Sequence, residues 1–237
     1  MELVYQDGGT RLIGELVLPD PAKFGPGPYP GVVAVHEAWG LGDEVKRRIR
    51  MLADLGYVAL AADIFGERHI PPTVPEAFEM IGKFLDDREG LRRRAGAAVS
   101  ALKAHAACDG RIAAVGYCFG GSTVLELARG GNPDVLGVIS FHGGLSGAGP
   151  HAPGGVKAKI LVLHGAEDPL VPHEDLVAFL QEMKDADCQT LAYSGSVHAF
   201  SNPEADGSIN PGIHYHARSD RRSWEQLKLF LKAEVFA

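Results

Sequence analysis

The sequence predicts an α/β fold in which a mostly parallel central sheet carries helices on both faces. Short apolar runs recur along the chain, and amphipathic segments with helical spacing lie between them. A third observation places an antiparallel hairpin at the N-terminus, where two β-rich runs flank the turn sequence Asp-Gly-Gly-Thr at 7–10. No repeat or linker divides the 237 residues, so we expect a single domain over 1–237 without a large lid domain.

The individual elements follow from these patterns. Strands are predicted at 3–6, 11–18, 31–36, 57–62, 111–116, 134–141, 159–164 and 189–193. Helices are predicted at 43–55, 75–85, 91–107, 119–129, 173–184 and 219–233, and the Pro/Gly-rich stretch 19–30 is expected to be a loop. Continuous apolar runs such as 31–36 are typical of strands that are buried on both faces of a parallel sheet.

Composition narrows the class of partner. The chain has 23 Lys and Arg residues and 30 Asp and Glu residues, so its formal charge is −7. A negative charge gives no reason to expect nucleic acid or an anionic membrane as a binding partner. No secretory signal is visible and every long apolar run is broken by charge, so we expect a soluble, cytoplasmic protein. We expect a small-molecule substrate and leave monomer or homodimer open. The Arg92–Arg94 run is expected to be a solvated face.

Three cysteines are too few for a disulfide scaffold, and their odd number leaves at least one thiol free. Cys118 lies in Gly-Tyr-Cys-Phe-Gly-Gly at 116–121, between a predicted strand and a predicted helix. This is the nucleophile-elbow pattern with cysteine in the serine position, and its glycines are needed because the turn is sharp. The helix N-terminus favours the thiolate. The alternative is a packed core cysteine in a glycine-rich turn.

A thiol nucleophile needs a base, and the base needs an orienting acid. Asp168 follows the predicted strand 159–164, and His198 follows the last predicted strand. The chain order of nucleophile, acid and histidine is that of α/β-hydrolases, and all three residues can meet at one edge of the sheet. Taken singly, Asp168 could be a turn or capping residue and His198 a loop histidine.

Five segments in order carry a resemblance. They are His-Glu-Ala-Trp-Gly (36–40), Ala-Asp-Ile-Phe-Gly (62–66), the elbow (116–121), His-Gly-Ala-Glu-Asp-Pro (164–169) and His-Ala-Phe-Ser-Asn-Pro (198–203). The chain resembles the dienelactone hydrolase family, a cysteine branch of the α/β-hydrolases. The resemblance implies hydrolysis of small activated esters or lactones through Cys118, His198 and Asp168 and a thioacyl-enzyme. No cofactor motif or metal-ligand cluster is visible, so neither cofactor nor metal is expected.

The resemblance also assigns neighbouring roles. Glu37 matches a family glutamate that meets the resting thiol, where a carboxylate opposes thiolate formation. A surface carboxylate at a strand end is the alternative. By position, the backbone N–H groups of Ala38 and Phe119 form the oxyanion hole.

The chain departs from the family in its arginines. Dienelactone enzymes bind the lactone carboxylate with two arginines; Asn202 stands at one of these places, and Glu67 and Arg68 compete for the other. This departure argues against a carboxylated dienelactone as substrate. The side chains expected around the substrate pocket are Trp39, Phe65, Arg68, His142 and Phe200. Segments 71–85 and 143–157 could cover it, which predicts an open site for small substrates.

Two other functions remain open. The same nucleophile could attack neutral phosphotriesters, provided that the thiophosphoryl-enzyme turns over. The chain could also be a non-catalytic thiol sensor or ligand-binding protein that kept the elbow. The second reading predicts stoichiometric modification of Cys118 without product release.

Overall fold

The computed structural model describes residues 1–147 and 155–237, which contain eight strands in one sheet. The strands are β1 (Glu2–Asp7), β2 (Thr10–Val17), β3 (Tyr29–Val35), β4 (Val58–Ala62), β5 (Cys108–Tyr117), β6 (Val135–Phe141), β7 (Lys159–Gly165) and β8 (Cys188–Tyr193). Their order across the sheet is β1-β2-β4-β3-β5-β6-β7-β8. β1 and β2 form the predicted antiparallel hairpin and β2 pairs antiparallel with β4, whereas all other neighbours are parallel.

Helices connect the strands. They are α1 (Pro21–Phe24), α2 (Asp43–Ala53), α3 (Val74–Asp86), α4 (Arg88–Lys103), α5 (Phe119–Arg129), α6 (His173–Glu182) and α7 (Ala217–Phe230), with a π-helical turn at Leu231–Val235. The predicted α/β arrangement is confirmed. α1 was not predicted; it begins where the Asp20 side chain accepts the Ala22 N–H and proline fills the first helical position. None of the described helices is long and apolar enough to cross a membrane.

Both faces of the sheet are buried. Successive β3 residues alternate between the faces, so Val32 packs in the cluster that contains α2 and α7, and Val33 packs in the cluster that contains α4 and α5. All five residues of β4 are buried. The continuous apolar runs in the sequence therefore correspond to strands that are covered on two sides.

The Arg92–Arg94 run is not a simple solvated face. Arg92 bonds the fully buried carboxylate of Glu126 on α5, at 2.6 and 2.9 Å. Arg93 and Arg94 both bond Asp7 at the tip of the N-terminal hairpin. The prediction was wrong for Arg92 and Arg94, because α4 lies against α5 and β1, where these arginines neutralise buried carboxylates, whereas the Arg93 side chain is 65% exposed.

The strand order positions the functional site. β4 lies on one side of β3 and β5 on the other, so the direction of chain progression reverses beside β3. Ligands bind at such switch points, outside the carboxyl ends of parallel strands. Residues 36–40 follow β3 and Cys118 follows β5, so the two segments meet at this point.

Candidate active site

Cys118 sits on a strained turn between β5 and α5. Its φ of 54° and ψ of −116° are unfavourable for a residue with a side chain. A Cβ on Gly116 would lie 1.9 Å from the Gly120 carbonyl oxygen, and one on Gly120 would lie 2.2 Å from the Val35 carbonyl oxygen. Both contacts are with backbone atoms, so the glycines are sterically required. The turn leaves the thiol facing a cavity at the carboxyl edge of the sheet.

His198 and Asp168 form a buried pair beside this turn. Nδ1 of His198 lies 2.8 Å from Oδ2 of Asp168, and the other carboxylate oxygen accepts the Leu170 N–H. The His198 backbone is fixed by two hydrogen bonds, donated to Gly212 O and accepted from His214 N. The ring orientation is therefore set by both the acid and the loop.

The second ring nitrogen of His198, Nε2, has no hydrogen-bond partner among the described residues, and Cys118 acts on this histidine electrostatically. Burial by itself disfavours the imidazolium. The electrostatic interactions of Cys118 and Asp168 with the ring, together with the Asp168 hydrogen bond, outweigh burial and raise the pKa of His198 to about 10. The electrostatics of the site therefore favour the protonated form of His198.

Glu37 is buried next to the same cavity. Its Oε2 accepts a hydrogen bond from Asn202 Nδ2 at 2.6 Å, and no hydrogen bond joins it to Cys118 in the described structure. Burial and the nearby Glu44 carboxylate raise the pKa of Glu37 to about 7, although His198, Asn202 and Arg48 oppose the increase. Glu37 is therefore partly protonated near neutral pH.

Replacing Glu37 by glutamine is expected to raise the melting temperature more at pH 8.5 than at pH 5. The raised pKa means that the native state holds a proton that the unfolded chain releases above its ordinary value of 4.5. The free energy of unfolding of the wild type therefore falls by an amount on the order of 2–3 kcal/mol as the pH rises from about 4.5 through about 7. The glutamine variant does not titrate, so it does not lose this stability. Thermal unfolding at the two pH values measures the difference.

Glu204→Gln is the matched control, because it removes an exposed carboxylate from the same cavity. It should change the melting temperature equally at pH 5 and pH 8.5. Equal gains for Glu37→Gln at the two pH values would show that Glu37 does not titrate in this range.

The cavity above Cys118 has a volume of about 250 Å³. Its lining comprises Glu37, Ala38, Trp39, Gly40, Gly42, Asp43, Glu44, Val45, Phe78, Cys118, Leu170, His198, Ala199, Asn202, Glu204, Ala205, Ile209 and Ile213. Phe78, Leu170 and Ile209 are 44–51% exposed although they are large and apolar. Such exposed apolar side chains around a concave site are typical of ligand contacts.

The charges around the cavity are mostly negative. Four carboxylates line it, on Glu37, Asp43, Glu44 and Glu204. No lysine or arginine is among the lining residues in the described ranges. Arg47 and Arg48 lie close by, but both bond the Glu44 carboxylate.

The two backbone N–H groups predicted to form an oxyanion hole lie on either side of the switch point. Phe119 is the first residue of α5, and Ala38 follows β3 in the cavity wall. Neither N–H donates to an acceptor in the described part of the chain. Their use by a substrate oxygen remains a prediction.

Two of the residues predicted for the pocket face elsewhere. Phe65 stacks on Phe84 and lines a separate cleft of about 310 Å³. Arg68 bonds Glu2 and Glu15 on the N-terminal hairpin, at 2.8 and 3.0 Å. Arg68 faces the hairpin because the Asp63 carboxylate accepts a hydrogen bond from its backbone N–H and so turns the loop in that direction.

His142 and Phe200 also do not line the cavity. Both are fully buried beneath the site, with their rings 5.2 Å apart and nearly perpendicular. Trp39 does line it, as predicted. Of the two segments expected to cover the pocket, 71–85 contributes Phe78, whereas residues 148–154 of the other lie outside the described residues.

Several lining residues were missed by the sequence analysis. Ile209 and Ile213 belong to a polar segment after His198 to which no role was assigned. The feature of the sequence that could have indicated a role for them is that they are two isolated apolar side chains among Asp, Gly, Ser and Asn. Leu170, directly after the Asp-Pro turn, was a similar signal.

A cysteine elbow at the carboxyl edge of a mostly parallel sheet, with an aspartate–histidine pair beside it, defines an α/β-hydrolase fold. The dienelactone hydrolase family model matches residues 15–235. The chain therefore belongs to the dienelactone hydrolase family.

Individual relatives agree with this membership. A Saccharolobus solfataricus protein named as a candidate carboxymethylenebutenolidase is 26% identical, over 98% of this chain and 97% of its own length. The crystal structure of P91, described as a dienelactone hydrolase-like promiscuous phosphotriesterase from metagenomic libraries, has a TM-score of 0.92 and 41% identity. A structure named m3DLH has a TM-score of 0.92 and 38% identity. Both alignments cover 100% of this chain and 98% of the other chain.

Proposed function

We propose that the protein hydrolyses small neutral esters and lactones, with Cys118 as nucleophile, His198 as general base and acid, and Asp168 as the orienting acid. The observation that carries this proposal is the 2.8 Å contact between Asp168 and His198 beside a thiol that faces the cavity. Membership of a hydrolase family and the strained elbow support it.

The first half of the reaction acylates the thiol. The Cys118 thiolate attacks the carbonyl carbon, and the resulting oxyanion accepts hydrogen bonds from the N–H groups of Ala38 and Phe119. Collapse of this intermediate breaks the bond to the alcohol oxygen. The His198 imidazolium protonates the departing alkoxide, which leaves a thioacyl-enzyme and a neutral imidazole.

The second half regenerates the enzyme. Neutral His198 takes a proton from a water molecule, whose oxygen attacks the thioester carbonyl, and the thiolate departs as the acid is released. Asp168 holds Nδ1 of His198 throughout, so that Nε2 stays directed at the reacting atoms. We propose that Glu37 regulates the ionisation of the resting Cys118 thiol, because a nearby carboxylate charge disfavours the thiolate.

The charge of the cavity supports a neutral substrate. Its lining carries four carboxylates, and the arginines next to Glu44 are occupied by that side chain. An anionic ester would therefore approach these carboxylates with no lysine or arginine in the described lining to receive it, and the His198 ring is already bonded to Asp168. The apolar rim of Phe78, Leu170 and Ile209 suits an aryl or short alkyl group.

A matched pair of esters tests the function and its charge preference together. We expect repeated turnover of 4-acetoxybenzamide, and a kcat/KM for 4-acetoxybenzoate that is lower by about tenfold or more at low salt. Each value is divided by the rate constant for hydroxide-catalysed hydrolysis, which removes the intrinsic difference in reactivity. Added NaCl should narrow the gap between the two esters.

The possible outcomes separate the hypotheses. Release of one equivalent of phenol without further turnover would favour the thiol-sensor reading over hydrolysis. Turnover of both esters at equal normalised rates would leave the hydrolase and remove the charge preference.

Neutral phosphotriesters are a second candidate substrate class, because the 41% identical P91 is described as a promiscuous phosphotriesterase. Here the thiolate would attack phosphorus and expel the alcohol or aryloxide, and water would then have to cleave the thiophosphoryl bond. Diethyl 4-nitrophenyl phosphate is the probe. Turnover slower than that of the matched acetate ester would make this a secondary activity.

A further inference from the structure

His142 joins the nucleophile to the loop that carries His198. It follows β6 and is fully buried, with a φ of 39° in the left-handed region. Its Nδ1 lies 3.1 Å from the Cys118 backbone nitrogen, and its Nε2 lies 2.8 Å from Ser201 Oγ. Burying a polar ring on a strained backbone costs free energy of folding, which the surrounding contacts must offset.

These contacts fix the tautomer of the ring. The Cys118 N–H is shared between the Phe141 carbonyl oxygen, at 3.0 Å, and His142 Nδ1, at 3.1 Å. As an acceptor, Nδ1 carries no proton, so the ring proton is on Nε2, where it is donated to Ser201. Burial and the positive charges of His198 and Arg48 hold the pKa of His142 well below its ordinary value. The ring therefore stays neutral beside the His198 ring, 5.3 Å away.

Ser201 connects this ring to the base, because it lies in the same short loop as His198. Its carbonyl oxygen accepts a hydrogen bond from the fully buried guanidinium of Arg48, and its hydroxyl bonds His142. The loop is thus held at Ser201 from two sides. The backbone of Cys118 is one end of this chain of contacts.

We propose that His142 is a positioning residue, which sets the separation between the Cys118 thiol and the His198 imidazole by bonding the backbone of one and, through Ser201, the loop of the other. This inference rests on the proposed function of Cys118 and His198. His142 does not line the cavity, so it acts on the reacting groups through their supports.

Substitutions separate the two ends of the link. Asparagine places an amide oxygen near the position of Nδ1 and retains an acceptor for Cys118, whereas glutamine places an amide nitrogen near Nε2 and retains a donor for Ser201. Phenylalanine fills the space with neither bond. We expect His142→Phe to lower kcat by about 100-fold and the two amide variants by less, with KM unchanged.

A double-mutant cycle with Ser201→Ala tests whether His142 acts on the His198 loop through the Ser201 hydroxyl. Ser201→Ala should lower kcat of His142→Gln further, because that variant still bonds the hydroxyl. It should add nothing to His142→Asn, which has already lost this bond. The rate of Cys118 alkylation by iodoacetamide, which needs no turnover, should fall in the same order.

Ser140→Ala is the control, because Ser140 is a fully buried residue on β6, the strand that His142 follows, and its hydroxyl has no hydrogen-bond partner among the described residues. It should retain wild-type kcat and alkylation rate. The inference is overturned if His142→Phe and Ser201→Ala lower the melting temperature yet retain wild-type kcat and alkylation rate, or if KM alone changes. An inactive wild type would instead contradict the hydrolase proposal, and the alkylation series would still test the link.

Discussion

Replacing Cys118 by alanine is expected to lower kcat/KM for 4-acetoxybenzamide by at least about 10⁴-fold, with the melting temperature little changed. The proposed reaction passes through a bond to this sulfur, so its removal eliminates the covalent route. Binding and the backbone donors of Ala38 and Phe119 remain, and they account for any residual rate. Initial rates over a range of ester concentrations measure the loss.

Cys188→Ala provides the matched control. Burial raises the pKa of the Cys188 thiol to about 11, so this cysteine is a poor nucleophile at neutral pH. It should keep wild-type activity, and iodoacetamide should modify Cys118 first. Wild-type activity in Cys118→Ala would reject the nucleophile assignment.

Cys118→Ser gives a spectroscopic readout of the same site. The negative charge of Cys118 helps to raise the pKa of His198, and a serine hydroxyl is not ionised at neutral pH. The pKa of His198, followed by NMR of the ring protons, is therefore expected to fall in the serine variant.

Replacing Gly120 by alanine is expected to destabilise the protein by at least about 3 kcal/mol or to prevent folding. The added Cβ would lie 2.2 Å from the Val35 carbonyl oxygen and 2.8 Å from the His36 carbonyl oxygen. Both atoms belong to backbone at the end of a central strand, so neither can move without disturbing the sheet. Urea unfolding of the purified variant measures the loss.

Gly82→Ala is the contrasting substitution. Gly82 lies inside α3 and has no atom within 4 Å of an added Cβ, so alanine should stabilise the protein by about 0.5–1 kcal/mol. A Gly120→Ala variant as stable as wild type would mean that the elbow relaxes freely, and would contradict the steric argument.

The sheet and its helices could be predicted because their signals are local. Continuous apolar runs report strands that are buried on both faces, and the helix that starts at Phe119 follows from the glycines of the elbow. The elbow, Asp168 and His198 could be placed at one edge since each follows a strand. The carboxyl ends of parallel strands lie at the same edge of the sheet, and this does not depend on the conformation of the loops.

The pocket was less predictable because loop conformation decides where its side chains point. Glu67 and Arg68 both have positive φ, and the Asp63 carboxylate bonds the backbone N–H groups of Ile13, Gly66 and Arg68. These contacts direct the arginine to the hairpin, and no periodic pattern encodes them. The bond between His142 and Ser201, which are 59 positions apart, is invisible to local patterns for the same reason.

The order of the reacting residues along the chain has a consequence for synthesis. Domains form from their N-terminal part as the ribosome delivers them, and β3, β5 and the elbow are complete long before β8 and the loop that holds His198. During that interval the sulfur has no imidazole partner. The proposed nucleophile and its proposed base therefore come together only after the last part of the sheet has been translated, so that a shorter nascent chain contains the elbow without the histidine that would activate it.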